Sequence, residues 1–246
     1  MTTSAAQAAL ADVLAEAGGR GRRQDPVLPR TGGPAGNARL TAWTGLALLV
    51  LSLAELVTLL DVTGLISWHV VIGTLLLPPA LLKTASTGWR IAGYYRGAGP
   101  YRTAGPPPLV LRLLGPGVVL ATLGLLGSGL ALVFLGSTAS RSVRLTVLGH
   151  DVDWVTLHQV LFIAWGVLAG LHVLARLVPA LRLTVVRAAG PAGVPGRAGR
   201  GLALLAAGVV AVVAATLVLG AAQSWRHDAR ERPDPGPRHA AVGDRP

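Results

Sequence analysis

Apolar residues fill five long stretches of the chain, and shorter polar or Gly/Pro-rich segments separate them. Each stretch can cross a hydrocarbon core of ~30 Å, which takes about 20 helical residues. Helix is the expected structure, because an isolated strand leaves backbone polar groups unsatisfied in lipid. The five predicted spans are Leu40–Leu60, Ile66–Ser86, Leu109–Leu135, Trp154–Leu177 and Leu202–Gly220.

The polar segments divide the chain into five parts. These are a flexible basic arm (1–38) with a short helix over Ala5–Ala17, a four-span bundle (39–178), a Gly/Pro/Arg linker (179–201), a fifth span (202–222) and a disordered tail (223–246). The predicted fold class is all-α: a polytopic transmembrane helical bundle with a four-helix core. The fifth, C-terminal span is expected to be peripheral to that core, because the linker before it is long and rich in glycine.

The composition supports a membrane protein. Hydrophobic residues make up 52% of the chain, charged residues only 13%, and the mean hydropathy is +0.56. Soluble domains average about 25% charged residues, so a water-soluble hydrolase or nucleic-acid binder is excluded. The chain has no cysteine, which excludes disulfides, iron–sulfur clusters and covalently attached c-type haem.

The charge distribution predicts an orientation. Basic residues outnumber acidic ones 22 to 11, and fifteen of them lie in or beside the N-terminal arm and the loops after the second and fourth spans. The opposite side carries the other seven, so the N-terminus is expected to be cytoplasmic and the tail external. The location is then the cytoplasmic membrane, and the basic arm is expected to contact the lipid bilayer and not nucleic acid.

Ionisable groups inside the spans are costly and therefore mark functional hypotheses. They are Glu55, His69, Lys83, His158 and His172. The second and fourth spans run in the same direction, and His69 and His158 lie at matched depth near the external face. Lys83 and His172 each follow fourteen residues later, ~21 Å further along a helix.

Histidines at one depth on two parallel helices are what axial ligation of a haem requires. His69 and His158 form the better predicted pair, and His172 is a further candidate ligand. Small residues on the facing helices would leave room for a planar macrocycle. The candidates are Gly45, Gly115, Gly117, Gly124, Gly127, Gly129, Gly166 and Gly170.

His69 with His158 and His172, on the second and fourth spans, resembles the di-haem cytochrome b fold. It is also similar to the bacterial b-type cytochrome subunits that anchor hydrogenases and formate dehydrogenases in the membrane. The resemblance covers roughly residues 40–177. It implies one or two haem b groups, a quinone or partner redox subunit, and electron transfer as the activity. The chain departs from the pattern at Lys83, which stands where a fourth histidine would be.

Several alternatives stay open at this point. The inner haem is absent, or His172 and Lys83 hold it, or Lys83 extends to the lipid phosphates. Glu55 is a structural hydrogen-bonding residue or a proton relay near a quinone. A loop rich in Tyr and Arg after the second span is an interfacial anchor or a docking face. The whole chain is an electron-transfer subunit, or else a non-redox membrane protein such as a small transporter, assembly factor or structural subunit.

Overall fold

The computed structural model describes residues 5–20, 25–147, 149–185 and 193–231. Its helices are α1 (Ala5–Ala17), α2 (Gly33–Thr58), α3 (Ile66–Tyr95), α4 (Gly99–Ala104), α5 (Leu109–Ser142), α6 (Trp154–Val185), α7 (Arg197–Ala221) and α8 (Gln223–Glu231). A 3₁₀ turn covers Leu59–Asp61, and strands β1 (Arg144–Val147) and β2 (His150–Asp153) form an antiparallel hairpin. The predicted all-α bundle is confirmed.

Helices α2, α3, α5 and α6 form a four-helix bundle. The pairs α2–α3 and α5–α6 pack most extensively, and narrower contacts of α2 with α6 and of α3 with α5 close the ring. The helices that carry the histidines, α3 and α6, therefore lie diagonally across the bundle. Helix α7 packs on α3 from outside the ring, as extensively as α2 does.

Five of these helices are long and apolar enough to cross a membrane: α2, α3, α5, α6 and α7. Within the most apolar window of each, only 6–22% of the residues are buried inside the structure. Large side chains such as Leu120, Leu174 and Leu217 are at least 70% exposed. So much outward apolar surface suits contact with lipid and is unusual for a soluble protein.

The helices extend beyond the predicted spans. α2 begins at Gly33 instead of Leu40, with Pro34 in its first turn, where the missing N–H and fixed φ of proline are favourable. α3 continues through Pro78 and Pro79 to Tyr95. At ~45 Å, this helix is longer than the hydrocarbon core alone requires.

The N-terminal segment is tied to the bundle, which differs from the expected flexible arm. The predicted helix over Ala5–Ala17 is present as α1 and packs on α6. Glu16 lies 2.8 Å from Arg176 of α6, and Arg182 donates to the carbonyl of Gly19 at 2.7 Å. Asp25 forms an ion pair with Arg90 of α3. Residues 1–4 and 21–24 of the predicted arm lie outside the described residues.

The start of the predicted disordered tail is also helical. α5 is interrupted at Gly136, whose φ of 80° and ψ of 166° suit glycine. Just after this break, the backbone N–H of Ser137 donates to the hydroxyl of Ser224 of α8 at 3.3 Å. The indole Nε1 of Trp225 donates to the carbonyl of Leu132 at 2.8 Å, and the two bonds fasten α8 to α5. The remaining tail, residues 232–246, lies outside the described residues.

Candidate functional site

His69 lies one turn into α3 and His158 one turn into α6, both at the end of the bundle that holds the β1–β2 hairpin. Their ring centroids are 6.4 Å apart, and the ring planes are perpendicular, at 90°. The structure therefore brings together the two histidines that the spacing predicts at one depth, from helices on opposite corners of the bundle. Their role as ligands stays a prediction.

Two oxygens of α2 fix the tautomer of His69. Its Nδ1 lies 2.9 Å from Thr58 Oγ1 and 2.9 Å from Glu55 Oε1. The Thr58 hydroxyl donates its single proton to the carbonyl of Glu55 at 2.6 Å, so its oxygen can only accept from the ring. Nδ1 therefore carries the proton, and Nε2 presents its lone pair.

A hydroxyl on α5 sets the tautomer of His158 in the same way. Its Nδ1 lies 2.9 Å from the hydroxyl of Ser128 on α5, and that hydroxyl donates to the carbonyl of Leu125 at 2.9 Å. The Ser128 oxygen accepts from Nδ1–H, so the lone pair of this ring also belongs to Nε2. Gly129 lies beside the ring, since a Cβ there would be 3.2 Å from His158 Cε1.

The pair fits an axial ligand set. Metal-binding histidines usually donate the other ring nitrogen to a carboxylate or another oxygen, and both rings do so here. With metal–nitrogen bonds of about 2 Å, two imidazoles on opposite sides of one metal place their centroids roughly 6 Å apart. The observed 6.4 Å agrees with that separation. The described residues contain no group of three or more His, Cys, Asp or Glu side chains that could hold a metal ion, but haem requires only two protein ligands.

Glu55, for which the sequence predicts no particular partner, lies beside His69. Its side chain is 17% exposed, and its Oε2 is buried and without a hydrogen-bond partner among the described residues. Gly73, one turn after His69 on α3, makes room for it, because a Cβ there would lie 3.3 Å from Oε1. A signal was present, since Glu55 and His69 each lie about one turn from the short α2–α3 connection.

Lys83 and His172 occupy the other end of the bundle, where α1 packs. His172 interacts electrostatically with Lys83 and Arg176, so the second predicted pair also shares a level. The Lys83 ammonium donates to the carbonyl of Thr41 at 3.2 Å and lies against Gly45 of α2. Lys83 therefore turns into the bundle and onto α2, which differs from the expected extension to the lipid phosphates.

The seven predicted small residues on α5 and α6 divide into two groups. Gly129, Gly124 and Gly117 of α5 face His158, Leu161 and Leu168 of α6, so this row lets side chains of α6 approach α5 closely. A Cβ at Gly115, Gly127, Gly166 or Gly170 would meet nothing within 4 Å. Gly117, Gly124 and Gly129 thus serve the α5–α6 contact, and Gly129 directly serves the position of an imidazole.

The loop rich in Tyr and Arg folds as the end of α3 and the short α4. Arg112 donates to the Tyr95 hydroxyl at 3.1 Å, and Trp89 remains 63% exposed. Arg90 is engaged by Asp25 of the N-terminal segment. The interfacial anchor and the docking face both stay predictions.

No known family, curated protein or solved structure matches this chain.

Proposed function

We propose that this chain is an integral membrane b-type cytochrome subunit in which His69 and His158 are the axial ligands of one haem b. One observation carries the proposal. The ring centroids of two imidazoles from diagonal helices lie 6.4 Å apart, and the Nδ1 of each ring lies within hydrogen-bond distance of a hydroxyl, which leaves the Nε2 lone pair for coordination. The resemblance in spacing to di-haem cytochromes b points to the same chemistry.

The bundle contributes ligands and their orientation. Thr58 and Ser128, which are buried, hold the two rings in one tautomer, and Glu55 adds a carboxylate to the His69 side. Bound haem would supply one-electron chemistry between its ferric and ferrous states. The His69 side chain is 23% exposed, so the site is close to the surface at the hairpin end of the bundle.

The chain would act as a subunit, since its sequence contains no nucleotide-binding motif for hydride transfer. A quinone or a partner redox protein would deliver or accept the electron, in the cytoplasmic membrane and with the N-terminus in the cytoplasm. A single haem is favoured, because at the other end of the bundle the Lys83 ammonium packs onto α2 and is bonded to the Thr41 carbonyl. A second haem would use His172.

The test is the dithionite-reduced minus oxidised absorption spectrum of the purified chain, with haem counted per protein. The expected result is a sharp b-type α band with about one haem per chain. His69→Ala and His158→Ala should each lose the haem while the protein still inserts, and His172→Ala, the matched control, should keep it. Full haem content in both of the first two variants would refute the site.

The alternative is a non-redox polytopic membrane protein. It is favoured by one observation: the bonds to Thr58 and Ser128 also satisfy two histidines that only pack between helices. A flat difference spectrum after expression with ample haem would support this alternative. The histidine variants would then change stability and nothing else.

A further inference from the structure

The two imidazoles differ in what accepts their Nδ1 protons. His158 has neutral oxygens, the hydroxyl of Ser128 and the backbone carbonyl of Leu125, whereas His69 has the hydroxyl of Thr58 and also the carboxylate of Glu55 at 2.9 Å. Nothing in the ligand geometry itself requires this difference, because one hydroxyl is enough to hold each ring in its tautomer. Among the described residues, a carboxylate lies beside His69 and none beside His158.

We infer that Glu55 is a positioning residue that sets the redox potential of the haem through His69. This inference rests on the proposed function, because it concerns the same haem. A carboxylate that accepts from Nδ1–H draws the proton away from the ring and makes Nε2 a stronger electron donor. A stronger donor stabilises ferric iron over ferrous iron, which lowers the reduction potential.

The surroundings of Glu55 strengthen the effect. Its Oε2 is buried and has no hydrogen-bond partner, and no Lys or Arg forms an ion pair with it in the part of the chain that the structure describes. No cation in the described part of the chain therefore offsets a charge on this carboxylate. Such a charge would favour the oxidised haem, which carries one more positive charge than the reduced haem.

The fold also positions the carboxylate. Thr58 and Glu55 belong to the last turn of α2, and the Thr58 hydroxyl is bonded to the Glu55 carbonyl. Gly73 of α3 admits the carboxylate beside His69, since a Cβ there would lie 3.3 Å from Oε1. A methyl group at residue 73 would therefore push the carboxylate away from the ring without removing its charge.

The experiment compares midpoint potentials of the haem-loaded chain in detergent. Glu55→Gln keeps the shape and removes the charge, and it should shift the ferric–ferrous equilibrium at least tenfold toward ferrous iron. For one electron, a tenfold change equals 59 mV, so the potential should rise by about that much or more. Gly73→Ala should raise it in the same direction by a smaller amount. Ser128→Ala, the control on the other ligand, should produce the smallest shift.

The outcomes separate this inference from the proposed function. Glu55→Gln with full haem and an unchanged potential would show that Glu55 only packs, and the haem site itself would stand. A rise equal to that of Ser128→Ala would also overturn the inference, because any lost hydrogen bond would then have the same effect. Absence of haem from the unaltered chain would refute the proposed function. If Glu55→Gln fails to fold, Gly73→Ala gives the same test with the carboxylate retained.

Discussion

Replacing Gly129 by alanine tests the contact between α5 and His158. A Cβ at this position would lie 3.2 Å from Cε1 of the imidazole and 3.7 Å from Nδ1. Gly127, one position before Ser128 on the same helix, provides a matched control, because a Cβ there meets nothing within 4 Å. Both substitutions give the helix the same residue, so the intrinsic gain in helix propensity is the same.

The expected magnitudes follow from two terms. Gly to Ala inside a helix gains about 0.8–1 kcal/mol in propensity, which Gly127→Ala should show in full. At residue 129 the added methyl crowds the ring, and overpacking a close contact costs about 1–3 kcal/mol. Gly129→Ala should therefore be less stable than Gly127→Ala by about 1–3 kcal/mol.

The assay is equilibrium unfolding of both variants in mixed detergent micelles, together with haem content. Gly129→Ala should unfold earlier than Gly127→Ala and, under the proposed function, bind haem less tightly, because the added methyl displaces the His158 ring. Equal stability and equal haem content in the two variants would refute the reasoning. The His158 ring would then not rest on Gly129.

Two further predictions concern single side chains. Lys83→Met removes an ammonium that lies inside the bundle with the Thr41 carbonyl as its acceptor. Because a buried charge is costly, stability should stay the same or rise by about 1 kcal/mol, without loss of haem. A clear loss of stability or of haem would contradict this account of Lys83. A hydrogen bond from the backbone N–H of Thr156 lowers the pKa of Asp153, just before α6. This carboxylate therefore contributes its full stabilisation above the ordinary carboxyl pKa and loses it as the pH falls through the lowered pKa of the folded state. Asp153→Asn should therefore flatten the acid side of the stability–pH curve, measured by hydrogen exchange at the start of α6. An unchanged curve would show that the bond between Asp153 and the Thr156 N–H does not stabilise the start of this helix.

The sequence was sufficient for the helices and for the main pair of histidines. Five apolar runs predict five spans because lipid allows only backbone that satisfies its own hydrogen bonds. Since α3 and α6 run in the same direction, equal distances from their starts place His69 and His158 at one depth. The depth of a residue in the membrane follows from its distance along the helix, so the sequence alone predicts it.

Rotation about a helix axis and contacts between distant segments are harder to predict. The fourteen-residue spacing predicts the level of Lys83 in the bundle, but the inward turn of its ammonium depends on the space that Gly45 leaves on a neighbouring helix. α8 is polar and follows a span, so its composition predicts disorder. Its order depends on Ser224 and Trp225 meeting backbone groups of α5 on either side of the break at Gly136, which lies 89 residues before Trp225 in the chain.

The docking of the N-terminal segment has a similar cause. Glu16 and Asp25 find partners on α6 and α3 that lie more than sixty residues away in the chain. Charges in a Gly-rich arm give no local sign of such pairing. The pairing of Glu55 with His69 lay within reach of sequence reasoning, because both residues lie beside the same short connection.

The electron paramagnetic resonance spectrum of the oxidised, haem-loaded chain tests the central claim most directly. When two axial imidazole planes are perpendicular, as His69 and His158 are here, their π orbitals act on different iron d orbitals and leave those orbitals nearly equal in energy. The account therefore predicts a low-spin, strongly anisotropic ferric signal that disappears in both His69→Ala and His158→Ala. A high-spin signal, a signal typical of parallel ring planes, or one that survives both substitutions would contradict it.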